Sequence, residues 1–325
     1  LIHADARPIV IARNASDEAI QPHFNGIATP GCAGLAMTNS ACPICRATTA
    51  PAGVKRGHRT GREFALRRCT ACGFGFVAEP WTDYAEIYDE AYYEGRGSDP
   101  WVDYVYEFEQ PTRTVRRYEW RGLARAIAHL HPAPAKWLDY GCGNGGLVRH
   151  VRGEGRYDIF GYDTGAWADT ARAIGLPILN DAELVKHAGT FDIVTAVEVI
   201  EHCVDPLDVL RSLRRLLKPG GLLFLTTANA DTAPRDFPSW YYVSPEIHVS
   251  YFTSRALSDA LRQTGFAPFP RGILPGWDDI VRFKILKKLG VKNANAFQRL
   301  FPWMPLARLA DKKYGLSAHP LGRAI

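Results

Sequence analysis

Four cysteines stand in two close pairs, Cys42-Pro43-Ile44-Cys45 and Cys69-Thr70-Ala71-Cys72, twenty-three residues apart. Two tight turns that each present two thiolates make a closed tetrahedral set, and a closed set holds zinc for structure because no position is left for water. A redox dithiol would need one such pair at a helix start, not two among turns. The remaining cysteines, Cys32, Cys142 and Cys203, are scattered, and an odd total without a signal sequence argues against a disulfide framework. Cys42, Cys45, Cys69 and Cys72 are therefore the expected metal ligands.

A second constellation is a glycine turn. The apolar run Lys136-Trp137-Leu138-Asp139-Tyr140 stops at Gly141-Cys142-Gly143-Asn144-Gly145-Gly146, and Leu147-Val148-Arg149-His150-Val151 resumes as a helix would. Glycines let the backbone take positive φ and approach a ligand closely, and a helix start offers unpaired N–H groups. Dinucleotide enzymes carry a similar loop. The carboxylate of Asp139, placed before the first glycine, suits the ammonium of a methionine moiety better than a pyrophosphate. A second strand, Tyr157 to Tyr162, ends on Asp163, which can accept both hydroxyls of a ribose, a device that nicotinamide enzymes share.

Two histidines are candidate general bases, His202 after the run Phe191 to Val197 and His248 after the aromatic run Trp240-Tyr241-Tyr242. Both fall near the carboxyl edge of a parallel sheet, where ligands bind in open α/β folds. His248 is preferred over His202. Tyr92 and Tyr93 are read either as covering the cofactor or substrate or as exposed packing aromatics.

The elements that must position these groups alternate as strand and helix after Pro132 and Pro134, to about Phe269, which predicts a parallel sheet. Phe191-Asp192-Ile193-Val194-Thr195-Ala196-Val197 is a buried-strand run leading into Glu198-Val199-Ile200-Glu201-His202. Leu207, Leu210, Leu213, Leu216 and Leu217 keep one helical face, Lys218-Pro219-Gly220-Gly221 ends that helix, and Leu222 to Thr227 is a further strand.

With these runs in order, the chain resembles the class I S-adenosylmethionine-dependent methyltransferases over about residues 130–270. The resemblance implies a doubly wound, Rossmann-like α/β sheet of seven strands with the last antiparallel, in front of which stands a small zinc-ribbon-like module. It implies S-adenosylmethionine as cofactor, held by Asp139, Gly141, Gly143, Gly145 and Asp163, with Asp181 toward the adenine and Glu198 at the exit of the fourth strand. It also implies in-line attack of an acceptor atom on the sulfonium methyl, in which the protein mainly aligns the reactants. The cysteine module with Phe74 to Pro80 and Tyr88 to Tyr93 is similar to the N-terminal region of bacterial methyltransferases acting on sugars, surface polysaccharides and natural products, which implies a small or carbohydrate-like acceptor. An rRNA base methyltransferase with a zinc module is the alternative, and a non-catalytic cofactor-binding protein a third. Against RNA stands Glu198-Val199-Ile200-Glu201 where amino-group methylation would need an Asn-Pro-Pro-Tyr-like tetrapeptide.

The chain of 325 residues carries a formal net charge of +5, unevenly spread. Residues 282–325 hold ten Lys or Arg against Asp311 alone, residues 41–80 hold seven against Glu63 and Glu79, and the middle is acidic. An acidic centre between basic ends does not make a nucleic-acid groove. The resulting division is a disordered tail over 1–36, the cysteine module over 37–80, an aromatic connecting region over 81–130, the catalytic domain over 131–270 and a basic extension over 271–325. The first methionine is Met37, which fits an extension upstream of the true start. The basic extension, interleaved with Phe283, Leu289, Phe297, Leu300, Phe301 and Trp303, fits either packing on the sheet or peripheral contact with an anionic membrane. No run of eighteen apolar residues and no basic-then-apolar leader occurs, so the expected compartment is the cytoplasm.

Overall fold

The computed structural model describes residues 9–14, 41–96, 102–269, 273–295 and 297–314. Cys32 and most of the segment read as a tail lie outside the described residues, as does the end of the basic extension.

The first described element is a strand, β1 (Ile9–Asn14). The cysteine module follows as β2 (Thr49–Arg56), β3 (Glu63–Cys69) and β4 (Gly75–Val77), an antiparallel meander. Phe64 and Leu66 alternate with exposed neighbours on β3, the two-residue period of a half-buried strand. The register slips between Pro51 and Gly53, on the edge strand β2, where a missing proline N–H breaks no inner ladder. Three short helices, α1 (Tyr84–Ile87), α2 (Glu90–Tyr93) and α3 (Tyr104–Glu109), carry the aromatic region, and Asp89 and Asp103 cap the second and third. The long helix α4 (Arg116–Leu130) comes next.

Alternation then begins: β5 (Lys136–Tyr140), α5 (Gly146–Glu154), β6 (Asp158–Tyr162), α6 (Ala166–Ala173), β7 (Ile178–Leu179), α7 (Asp181–Lys186), β8 (Phe191–Val197), α8 (Pro206–Leu216) and β9 (Leu217–Thr226). The chain ends through β10 (Ser250–Tyr251), α9 (Ser254–Gln263), β11 (Phe266–Phe269), α10 (Trp277–Lys288), α11 (Phe297–Leu300) and α12 (Trp303–Tyr314).

Five strands run parallel in the order β9-β8-β5-β6-β7, as the alternating pattern predicts. The chain leaves β5 toward β6 and β7, then returns to lay β8 on the other side of β5. That reversal opens a crevice at the carboxyl ends of β5 and β8. Beyond β9 the edge differs from the expectation. β1, from the segment read as a tail, pairs antiparallel with β9, and β11 pairs antiparallel with β1. Its Ile-Val-Ile-Ala run is too short to be told from a random apolar stretch without the strand beside it.

Helices cover both faces. Leu210, Leu213 and Leu216 of α8 pack with Leu257 and Leu261 of α9 over β8 and β9 on one side. On the other, Trp120, Leu123 and Ile127 of α4 pack with Leu147 and Val151 of α5 and with Trp277 of α10. The cysteine module is not a free appendage. β10 pairs with β4 through Ser250↔Phe76 and Tyr251↔Gly75, and Phe74 and Phe76 belong to the same buried cluster as Phe252 and Leu257. The basic extension likewise begins inside the fold, since α10 crosses α4 where Gly122 meets Gly276: a Cβ on Gly276 would lie 2.2 Å from the Gly122 carbonyl oxygen. Among the described residues no helix is long and apolar enough to cross a membrane.

Candidate active site

The crevice contains a cavity of 1040 Å³. Its floor is the turn after β5. Gly141, Gly143 and Gly145 take φ of 76°, 54° and 74°, in the left-handed region that favours glycine. A Cβ on Gly141 would stand 2.4 Å from the Val199 side chain, whereas one on Gly143 would meet nothing nearer than Tyr104 at 3.6 Å. The first glycine is thus demanded by packing as well as by backbone conformation, the second by backbone conformation.

Asp139 lies at the end of β5, 4% exposed, and accepts a hydrogen bond from Thr195 Oγ1 at 2.7 Å. Burial pushes its carboxyl up to about 7; the Thr195 bond opposes this and the Asp163 charge adds to it. Asp163 follows β6. Its Oδ2 accepts from the Gly143 N–H at 2.8 Å and its Oδ1 from the Gly165 N–H at 2.7 Å, so the acid also shapes the glycine turn. Burial raises its pKa, and those N–H groups work against the rise. Tyr93 closes over it, its hydroxyl pushed up to about 12 by burial and by the Asp163 charge.

The opposite wall carries the histidines. Their rings lie 4.9 Å apart, and His248 also stacks on Tyr242 at 4.3 Å. His248 Nδ1 is 3.0 Å from the Tyr242 carbonyl oxygen and His202 Nδ1 is 2.9 Å from that of Ile247. A carbonyl can only accept, so each Nδ1 donates and each neutral ring has its accepting lone pair on Nε2. Tyr88 reaches His202 Nδ1 at 3.3 Å, and Tyr242 donates its hydroxyl to the wholly buried Glu201.

The wall between them is ionic and comes from three helices. Arg116 binds Glu107 at 3.1 Å and Glu119 at 2.6 Å; Lys284 of α10 binds Glu119 at 2.9 Å and approaches Glu198 at 3.8 Å. Burial favours the neutral Glu119 carboxyl, yet Lys284 and Arg116 outweigh burial and leave it at about 2. Glu198 itself has φ of +61°, a conformation that costs a residue with a Cβ roughly 1–3 kcal/mol, and it is held there by its N–H to Thr226 O and by Thr226 Oγ1 donating to Oε1 at 3.1 Å. Strain of this kind collects at functional sites.

Away from the cavity, the sulfurs of Cys42, Cys45, Cys69 and Cys72 lie within 4.8 Å of one another, with Cys42 to Cys72 at 3.7 Å and Cys45 to Cys69 at 3.4 Å. Zinc–sulfur bonds near 2.3 Å in a tetrahedron set sulfurs about 3.8 Å apart. The four thiols therefore fit a zinc ion. Thr253 Oγ1, two residues past β10, donates to the Cys72 carbonyl at 2.6 Å.

Asp139, Gly141, Gly143, Asp163, Glu198, His202 and His248 all line the one cavity. Gly145 caps α5 behind it. Asp181 does not line it either: its carboxylate accepts at 2.7 Å from the hydroxyl of Tyr162, which does. The lining also includes groups that the sequence reading did not single out for the site, namely Glu119, Tyr104, Lys284 and Lys287. No local spacing marks these, because Tyr104 and Glu119 stand on α3 and α4 ahead of the sheet and α10 begins 131 residues after the glycine turn in the chain.

Residues 113–269 match a family model described as a methyltransferase domain. A ubiquinone biosynthesis O-methyltransferase of Aliivibrio fischeri is 39% identical over 104 residues, which are 29% of this chain and 44% of that protein. One of Burkholderia multivorans is 32% identical over 121 residues, 33% of this chain and 50% of that protein. The chain spans about half the length of the curated relatives it matches. A crystal structure described as a SAM-dependent methyltransferase of Thermotoga maritima aligns with 52% of this chain and 78% of its own, at 23% identity and a TM-score of 0.40.

Proposed function

We propose that this chain, in which residues 113–269 are a methyltransferase domain, transfers the methyl group of S-adenosylmethionine to a hydroxyl of a small-molecule acceptor. The observation that carries the reading is the convergence of Asp139, the glycine turn, Asp163 and the two histidines on one cavity. Bound there, S-adenosylmethionine supplies an electrophilic methyl on a sulfonium. Asp139 faces the ammonium, Asp163 the ribose hydroxyls, and the N–H groups of the glycine turn the carboxylate end. The acceptor lies between this floor and the histidines. Its hydroxyl would give its proton to His248 Nε2 as the oxygen takes the methyl group, with the carbon–sulfur bond breaking and its electron pair staying on sulfur to leave S-adenosylhomocysteine, and the Tyr242 carbonyl would steady the imidazolium through Nδ1. His202 stands next to it as the alternative base.

The relatives are named for O-methylation in ubiquinone biosynthesis, which supports a hydroxyl acceptor. Rings of Tyr88, Tyr92, Tyr104, Tyr241 and Tyr242 line the cavity and favour a flat or ring-shaped molecule, a phenol or a sugar, glycan or natural-product precursor, over an RNA chain. Zinc at Cys42, Cys45, Cys69 and Cys72 is structural in this reading. A cytoplasmic location also belongs to it.

Radiolabelled methyl transfer to a panel of catechols, sugar nucleotides and glycans tests the proposal. An accepted hydroxyl compound should lose about a hundred-fold to ten-thousand-fold in kcat with His248→Ala, at little change in cofactor affinity. Unchanged turnover in both His248→Ala and His202→Ala removes the general base from the account, and cofactor binding with no transfer to any acceptor would favour a non-catalytic protein.

A further inference from the structure

The C-terminal helices divide their apolar residues into two sets. Phe283 and Leu286 of α10 and Trp303 of α12 are buried with Val115 and Tyr118 in one cluster, which fixes these helices to the body of the protein. Leu289, Phe297, Leu300, Phe301 and Leu309 are left outside, at 69%, 81%, 82%, 50% and 64% exposure. They are five of the eight large hydrophobic side chains found exposed among the described residues. Scattered exposed leucines are ordinary on a soluble protein, but this concentration within twenty-one residues is not. Phe297 and Leu300, three apart, share a face of α11, and Phe301 follows at its end.

The segment that carries this set has charge of one sign. From Ile280 to Ala310 there is no Asp or Glu, against seven Lys or Arg. Arg282 is held by Asp279, Lys284 by Glu119 and Lys292 by Asp103, so among the described residues the exposed cations that stand beside the apolar set are Lys288 and Arg308. Apolar side chains with cations beside them complement a surface that is greasy inside and anionic at its rim. A nucleic acid would answer the cations but leave the phenyl and isobutyl groups in water.

We propose that the end of α10, α11 and the start of α12 form a docking face for an anionic bilayer. Burying two Phe and three Leu at the acyl boundary supplies the apolar share of the attachment, and the cations supply a share that salt screens. The face adjoins the cavity: Lys287 and Lys288 line it, and Leu289 is the next residue. An amphiphilic acceptor lying in the bilayer would thus meet the opening without crossing bulk water, a consequence that rests on the methyltransferase reading, whereas docking itself does not.

The experiment is flotation of the full-length protein with vesicles of phosphatidylglycerol and phosphatidylcholine, or of phosphatidylcholine alone, with Phe297→Glu/Leu300→Glu beside the native sequence. The native protein should float with the anionic vesicles at low salt, lose that binding in high salt, and ignore the neutral vesicles. The double variant should bind at least about tenfold more weakly, the scale expected for taking one large side chain out of an apolar phase. Its melting temperature and its affinity for S-adenosylhomocysteine should be unchanged, because both side chains are exposed and outside the cavity. Absence of anionic-vesicle binding by the native protein, or equal binding by the double variant, overturns the proposal. So does a native dimer that the substitutions turn into a monomer without affecting flotation, which would make the face a contact between two copies of this chain. None of these outcomes bears on methyl transfer, which the acceptor panel tests separately.

Discussion

Asp139 is a carboxyl that the free protein keeps near neutrality, and the ligand proposed for it is a cation. Below about pH 7 it holds a proton, and that proton must leave before an ammonium can pair with it. Affinity for S-adenosylhomocysteine should therefore strengthen as pH rises through about 7 and level off above. Below that point it should fall by up to about tenfold per pH unit. Calorimetry between pH 5.5 and 8.5, in buffers of different ionisation heat, should detect proton release on the acid side. Asp139→Asn should bind weakly at every pH and release none; a pH-independent native affinity would contradict the assignment. Asp139 and Asp163 are legible in the sequence because each stands at a fixed local distance from a glycine turn or a strand end. Thr195, which binds Asp139, becomes its neighbour only when β5 and β8 pair, and Lys284 meets Glu198 only when α10 folds back. Local spacing carries no trace of either contact.

At the scale of elements, the strands β5 and β8 run as their apolar residues predict, since buried parallel strands are continuous hydrophobic runs. The two-residue β10 has no such run, and it is the element that ties the cysteine module to His248. Val77 donates to Val249 O at 3.0 Å on one side of this tie. On the other, the buried Glu246 accepts from the Thr60 N–H and Oγ1 at 2.7 Å each and from the Arg59 N–H at 3.2 Å. Removing zinc, or introducing Cys42→Ser, should accordingly lower turnover through displacement of His248 while S-adenosylhomocysteine affinity largely survives, because the glycine turn belongs to β5 and not to the module. Metal analysis, calorimetry and a turnover assay on one preparation separate these effects. Full activity after complete metal loss would mean that the module and the histidine are independent. Glu246→Ala should cost about 1–3 kcal/mol in denaturant unfolding, since it removes a buried carboxylate that accepts three hydrogen bonds from the module. No change in stability would place the module's attachment elsewhere.

Over the whole molecule, the C-terminal helix α10 acts as a strap from the cavity wall to the back of α4. Its anchor is Asp279, 1% exposed, which takes two hydrogen bonds from Arg121 at 2.7 and 2.6 Å and lies 3.3 Å from the buried Arg282. Asp279→Ala should destabilise the protein by about 3–5 kcal/mol in denaturant unfolding, because Arg282 is left buried without its partner. A loss below about 1 kcal/mol would mean that α10 is not held by this carboxylate. Composition describes residues 271–325 as basic and apolar, which fits both packing and surface docking. Only the three-dimensional arrangement divides Phe283 and Leu286, inside, from Leu289 and Phe297, outside. The edge strand β1 is similar, a short apolar run whose meaning depends on β9 and β11 lying on either side of it. The central claim, that this crevice is built for S-adenosylmethionine, is tested most directly by calorimetric titration of the full-length protein with S-adenosylhomocysteine. The account predicts one site per chain in the micromolar range, about −8 kcal/mol, weakened by roughly 1.5–3 kcal/mol in Asp163→Ala. Tight binding of NADH with no heat from S-adenosylhomocysteine would contradict it.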